Sequence, residues 1–149
     1  MRELILMRHA EAAPAPGGAD FPRPLTARGR ADAIAAARRL RQHGAPDHLL
    51  CSPALRTSET AAAVRATLRL EGQPLHTDPR IYLASPGQLR QVLAECPDGA
   101  LRVLLIAHNP AVSQLAVTLQ GGRGQALAPA EFRHFSLRLD SWRQLAAGP

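Results

Sequence analysis

The sequence predicts a three-layer α/β/α fold, in which a mainly parallel central sheet carries helices on both faces. Apolar runs too short to be helices occur at residues 3–7, 48–51 and 101–107. Each is followed by a polar or Pro-bearing start signal and then a segment of helical character. The resulting order of strand, helix, strand, helix, strand, helix is that of crossover units whose strands run parallel.

The elements follow in chain order. "ELILM", residues 3–7, shows no polar alternation, which suits a strand buried on both faces. "AAPAPGGADFPRP", residues 12–24, is dense in Pro and Gly and reads as a loop. Residues 25–44 read as a helix, with Thr26 as its N-cap and Gly44 as its stop. "HLLC", residues 48–51, is a second strand. Ser52-Pro53 then reads as an N-cap and first-turn pair opening a helix through Leu70. "GQPLHTDPR" is a loop with a short edge strand at residues 75–77, and "SPGQLRQVLAEC", from Ser85, repeats the Ser-Pro helix start. "LRVLLIA", residues 101–107, is the strongest strand, after which Asn109-Pro110 opens a helix through Leu119. "GGRGQALAPAE" is a loop, and "FRHFSLRL", residues 132–139, alternates as a late strand less buried on one face. With no repeat and no linker, residues 1–149 read as one domain.

A chain of 149 residues can bury a real core. With only 3% aromatics, that core must come from Leu, Ala, Val and Ile. No apolar run is long enough to cross a membrane, and the apolar stretch near the start is too short for a signal-peptide core, so the cytoplasm is the expected location. Cys51 and Cys96 lack metal-ligand spacing and read as free thiols, buried or half-buried. The formal net charge is +6, and all 18 basic residues are Arg. The absence of Lys excludes a Walker A loop, a Schiff-base lysine and a pyridoxal site. A positive balance suits an anionic partner or substrate. Nucleic acid rests on net charge alone, because the arginines are scattered and no aromatics interleave with them as stacking platforms.

Strand ends are where ligands bind in open α/β sheets. The first strand ends in Arg8-His9, the second in Ser52-Pro53 with Arg56 one turn later, and the third in His108. Each has an ordinary reading alone: a hydrogen-bonded structural histidine, or a solvated arginine in a first helical turn. Together, four cation-capable groups at one sheet edge repel one another unless an anion lies between them. The economical reading is an oxyanion site, most naturally for phosphate. Helix N-termini at Ser52-Pro53 and Asn109-Pro110 would add amide donors. No carboxylate cluster or Cys/His ligand spacing implies a metal, and no cofactor is expected. Ser52 has a competing role as an N-cap, whereas a neutral imidazole is a competent nucleophile toward phosphorus.

The segments "LMRHAEA", "RPLTARG", "CSPALRTSETA" and "LLIAHNP", in this order, resemble the histidine phosphatase superfamily, the phosphoglycerate-mutase-like group. The short length, "RPLT", "IYLASPGQL" and the late "LDSW" resemble its small SixA-type branch of phosphohistidine phosphatases. The resemblance runs from Met1 to about Trp142. It implies that His9 is the phosphorylated nucleophile, that Arg8 and Arg56 clamp the phosphoryl group, that His108 donates to a phosphoryl oxygen, and that no metal is needed. The common Arg-His-Gly triplet is here Arg-His-Ala, with Ala10 keeping a small side chain.

Larger members of that superfamily protonate a departing alkoxide with a Glu or Asp, and no obvious candidate stands out here. Glu11 and Asp20 read as loop polarity, Glu59 as an exposed helix position and Tyr82 as packing. Protonating an alkoxide is worth roughly 10²–10⁴-fold in rate, whereas an imidazole leaving group is far less basic. A missing acid therefore favours phosphohistidine. About thirty residues separate the second helix from the 101–107 strand, leaving little chain for a lid. An open pocket would admit a side chain of another protein. The expected partner is a phosphohistidine-containing protein, a phosphotransfer domain or phosphocarrier in signal transduction. The alternatives are a small-molecule phosphomonoesterase with the same nucleophile and a non-catalytic phospho-binding module. Arg23 is the candidate for a peripheral phosphate or partner contact. Asn109 orients His108 or caps the helix that follows, with capping the favoured role. His43, His48, His76 and His134 read as structural or solvated.

Overall fold

A computed structural model describes residues 1–147. Its strands are β1 (Arg2–Arg8), β2 (His48–Cys51), β3 (Leu75–Thr77), β4 (Arg102–Ala107) and β5 (Phe132–Leu137). The helices are α1 (Ala27–Leu40), α2 (Leu55–Leu68), α3 (Pro86–Ala94) and α4 (Ala111–Leu119). The strands form one sheet in the order β3-β2-β4-β1-β5. β3, β2, β4 and β1 run parallel, and β5 closes the edge antiparallel to β1. The three-layer, mainly parallel architecture predicted by the sequence is the one observed.

Alternation along the strands explains the layers. Leu4 and Leu6 of β1 join Leu50, Val103 and Leu105 under α3 and α4. Ile5 and Met7 point the other way, joining Leu49, Leu104 and Ile106 under α1 and α2. All four β1 side chains are fully inaccessible, which is why "LILM" shows no polar alternation. Small residues build much of the second layer: Ala33, Ala36 and Ala37 of α1 are buried in the same cluster as Ala61 and Val64 of α2. Cys51 and Cys96 are buried and free, and burial pushes their thiols up to about 11 and about 12.

The chain leaves β1 through α1 toward β2 and β3, then returns through α3 to β4. Right-handed crossovers put helices on opposite faces when the direction reverses. β1 and β4 are neighbours in the sheet yet send their following helices to opposite faces. A crevice opens between them at their carboxyl ends.

The Thr26 cap is observed: its hydroxyl accepts from the Gly29 N–H at 2.9 Å. Gly44, at φ 89, ends the segment after one 3₁₀ turn. Ser85 and Gln88 form a reciprocal capping box on α3. Two expected caps are absent. Ser52 does not cap α2, whose N-cap position is Ala54 and makes no side-chain bond. The Ser52 N–H still extends the sheet by donating to the Ile106 carbonyl at 3.3 Å, so the helix starts later and the Ser52 hydroxyl accepts from the Ala54 N–H at 3.1 Å. Asn109 does not cap α4, because Pro110 occupies that position and makes no side-chain bond. The Asn109 side chain instead binds the Leu127 carbonyl at 3.0 Å and accepts from the Ser113 hydroxyl. Among the described residues, no helix is long and apolar enough to cross a membrane.

Gly29 opens α1 directly against the main chain of Glu11, and a Cβ there would overlap the Glu11 carbonyl oxygen. A helical Gly→Ala change ordinarily gains about 1 kcal/mol. Here the sign reverses: Gly29→Ala should destabilise the fold by roughly 2 kcal/mol, a cost typical of overpacking, read as a lowered urea midpoint at unchanged m-value.

Candidate active site

The β1–β4 register pairs Arg8 with Ala107. His9 and His108 are therefore the next residues on adjacent strands. The His9 N–H continues the ladder to the Ala107 carbonyl at 3.1 Å, and the two imidazole centroids lie 5.3 Å apart. Ser52 is the first residue beyond β2, one step short of His108 in register and on its other side. Arg56 is the second residue of α2, which begins just above this edge. Arg8, His9, Arg56 and His108 line one cleft of about 690 Å³, with Arg23 and Asn109 on its walls. Ser52 is fully buried and does not line it; it lies behind His108.

His9 is nearly buried, and its Nδ1 lies 2.7 Å from the Ala10 carbonyl oxygen. A carbonyl only accepts, so Nδ1 carries the proton and Nε2 keeps its lone pair. Burial pushes the His9 pKa down to about 4; the Ala10 bond opposes that shift, and the charges of Arg56, Arg8 and Arg23 add to it. Burial, with Arg56 and His9, likewise pushes His108 down to about 3. Both rings are neutral at neutral pH. The Nε2 of His108 bonds the Ser52 hydroxyl at 2.7 Å, so a residue expected to cap a helix instead fixes an imidazole. The Nδ1 of His108 and the Nε atoms of Arg8 and Arg56 are buried without partners. Such atoms are costly in a fold, and among the described residues four others lie away from the cleft, on Arg2, Arg65, Gln73 and Arg102.

Asp20 and Tyr82 depart from their sequence readings. The Arg56 guanidinium donates through Nη1 to the Asp20 carbonyl at 2.9 Å and through Nη2 to its carboxylate at 3.0 Å. The same carboxylate accepts from the Tyr82 hydroxyl at 2.7 Å and from Arg23 at 3.3 Å. These bonds, Tyr82's foremost, hold the Asp20 carboxyl down to about 2. Asp20 is thus an internal counter-charge in the cleft, not loop polarity, and Tyr82 is its hydrogen-bond donor rather than a packing residue alone. An acid ionised this fully holds no proton for a leaving group near neutrality. Sequence reasoning missed the pair because they lie 62 residues apart on two loops. The only available signal was the Pro-flanked loop following the first strand.

The remaining expected positions divide. Arg23 lines the cleft, and its Nε donates to the Ala13 carbonyl at 3.3 Å. Arg8 donates to the Leu127 carbonyl at 3.1 Å. Glu11 reaches the cleft wall and accepts from the Thr26 hydroxyl at 2.7 Å. Glu59 is half-buried rather than exposed, and accepts from the Leu25 N–H at 2.8 Å, tying the first loop to α2. The other histidines stack outside the cleft, His43 on His134 and His48 on His76. Among the described residues, no group of three or more His, Cys, Asp or Glu side chains is placed to hold a metal ion.

The depressed histidines link stability to pH. Below the ordinary pKa of 6.5 the unfolded chain takes up protons that His9 and His108 refuse in the fold. Stability therefore falls as pH drops from about 6.5 toward about 4 for His9 and about 3 for His108, by roughly 3 kcal/mol for the first and roughly 5 kcal/mol for the second. Thermal unfolding across this window should show the slope, and replacing both residues with Asn should flatten it.

The chain is similar to known proteins in sequence and in fold. Residues 4–90 match the family model of the histidine phosphatase superfamily (branch 1). His108 lies beyond that match. An uncharacterized protein of Mycobacterium tuberculosis is 35% identical over 126 residues, covering 84% of this chain and 77% of the relative. A candidate phosphohistidine phosphatase SixA from Nakamurella multipartitia superposes with a TM-score of 0.77 at 28% identity, over 99% of this chain and 90% of the other. A protein histidine phosphatase SixA complexed with tungstate gives 0.80 at 27% identity, over 91% and 88%. A mycobacterial glucosyl-3-phosphoglycerate phosphatase in complex with inorganic phosphate shares the fold, with a TM-score of 0.70 at 16% identity over 97% and 92%.

Proposed function

The chain belongs to the histidine phosphatase superfamily, in its SixA-type branch, and on that premise we propose that it is a metal-independent phosphatase acting on phosphohistidine in a signalling or phosphocarrier protein. The observation that carries this reading is His9. It is neutral, its Nδ1 proton is held by the Ala10 carbonyl, and its Nε2 lone pair sits among Arg8, Arg56 and His108.

Nε2 of His9 attacks phosphorus in line, and the bond from phosphorus to the substrate imidazole breaks. The substrate ring, protonated on its other nitrogen, departs neutral. Phospho-His9 carries the positive charge, which the Ala10 carbonyl stabilises through Nδ1–H. Water then attacks phosphorus, the His9 bond breaks, and inorganic phosphate leaves with the displaced proton passing to solvent. Little covalent work falls to the protein, so neutralising the equatorial oxygens supplies most of the rate. Arg8 and Arg56 do this. Each Nη of Arg56 retains a second N–H beyond its bond to Asp20. Neutral His108, with Nε2 accepting from the Ser52 hydroxyl, keeps its one proton on Nδ1 and donates it to a phosphoryl oxygen, and Arg23 serves the periphery. Asn109 holds the wall of the cleft through Leu127.

The ionised Asp20 supports a leaving group of low basicity. Glu11 on the cleft wall favours the second reading, a small-molecule phosphomonoesterase. Incubation with a phosphohistidine phosphotransfer domain should release phosphate in the presence of a chelator and yield an acid-labile phosphoryl-enzyme. His9→Ala should lose at least 10³-fold in kcat/KM; full activity in that variant refutes the mechanism. Preference for metabolite monophosphates in kcat/KM establishes the second reading, and tight binding without turnover makes the protein a phospho-binding module. Ser52→Ala should lower kcat about tenfold while leaving KM within threefold, because it frees His108 without removing a charge.

A further inference from the structure

The mouth of the cationic cleft carries a leucine that the fold scarcely buries, with two part-exposed apolar residues near it. Six large apolar side chains are exposed among the described residues: Met1, Phe21, Ile34, Leu55, Leu83 and Leu101. One of them, Leu83, lines this cleft, and Phe21 and Leu55 are chain neighbours of its lining residues Asp20 and Arg56. Leu83 stands at the edge of the cleft and is 79% exposed. Phe21, 45% exposed, sets its ring edge-on against Tyr82 with centroids 5.1 Å apart. Leu55, 39% exposed, donates its N–H to the Phe21 carbonyl at 3.1 Å.

Leu83 is the least economical of the three. Its φ is +58, the left-handed region that costs a branched side chain roughly 1–2 kcal/mol. Gly or Asn would sit there at lower cost. A leucine in this place strains the backbone and, being exposed, adds almost nothing to the core. Strain of this kind persists at functional sites.

We infer that Phe21, Leu55 and Leu83 form a docking rim for the protein that carries the phosphohistidine. The inference rests on the proposed function and deepens it. The occupant is the surface of that protein around its phosphorylated side chain, whose apolar residues cover the rim. Charge complementarity fixes the centre, because the phosphoryl dianion meets Arg8, Arg23 and Arg56. Apolar burial supplies the periphery. A phosphorylated sugar or other polar metabolite offers nothing to a leucine at the edge. A protein surface does, and burial of a leucine side chain is enough to alter kcat/KM by an order of magnitude.

The test compares two substrates that share the chemistry. One is a phosphohistidine phosphotransfer domain, and the other is phosphoramidate, which reaches the cleft without touching the rim. Leu83→Asn and Leu55→Ser should each reduce kcat/KM on the domain at least tenfold and leave phosphoramidate turnover within twofold. Leu83→Asn should also raise Tm, by about 2–4 °C, as backbone strain is relieved. Equal loss on both substrates, or no loss on the domain, overturns the rim while leaving the proposed function standing. A lowered Tm for Leu83→Asn shows that the side chain packs within the fold and also overturns it. Failure of the wild-type protein to dephosphorylate the domain, alongside turnover of phosphoramidate, overturns the proposed function and the rim together. Loss in Leu83→Asn of binding to anionic phospholipid vesicles, or of self-association in sedimentation, with the domain still processed at the wild-type rate, replaces the protein substrate on the rim with a membrane or a second copy.

Discussion

The parallel pairing of β1 with β4 is the constraint on which the site depends. It joins two strands far apart in sequence and fixes Arg8 opposite Ala107. One residue further on, His9 and His108 stand side by side. A slip of one residue would turn either imidazole to the wrong face of the sheet, since side chains alternate with a period of two. The register is secured by burial on both faces: Leu4, Leu6, Val103 and Leu105 commit to one layer, Ile5, Met7, Leu104 and Ile106 to the other. Ser52 extends the same logic to β2, where its prolonged sheet bond to Ile106 delivers a hydroxyl to His108.

Electrostatics at this edge is settled in two ways. The histidines stay neutral because burial and nearby guanidinium groups both oppose protonation. The arginines cannot become neutral, so Arg56 is held by a carboxylate. Asp20 is that carboxylate, and Tyr82 helps keep it ionised and oriented. The cleft presents arginine side chains beside an imidazole, that of His9, whose Nε2 carries no proton. The Asp20 carboxylate on Arg56 keeps the cleft from being purely cationic. Leu83 at the mouth follows a different logic, as it is largely exposed and serves neither the core nor the charge balance.

The sheet, its four helices and the convergence of Arg8, His9, Arg56 and His108 on one cleft were legible because each rests on local chemistry. Uninterrupted apolar runs mark strands buried on both faces, and Thr26 and Ser85 cap helices through bonds spanning three residues. Ser52 and Asn109 carried equally good capping signals and took other partners. For Ser52, a sheet hydrogen bond outcompeted helix initiation; for Asn109, contacts to Leu127 and Ser113 did. Glu59 looked like an exposed helix position and instead ties down the first loop.

By itself the sequence determined which strands exist, which residues end them, and that those ends are cationic and rich in imidazole. These depend on interactions within a few residues, where hydrophobic period and side-chain type are decisive. Only the tertiary structure decided that Asp20 would offset Arg56, that Tyr82 would reach it from another loop, and that Ser52 would anchor a histidine. It also decided that Leu83 would stand strained and exposed beside the cleft. The physical reason is distance along the chain. A Pro- and Gly-rich loop has no periodic pattern to read, and its path is set by the surfaces it closes over. Whether its carboxylate meets a guanidinium or water follows from the packing of elements that lie tens of residues away.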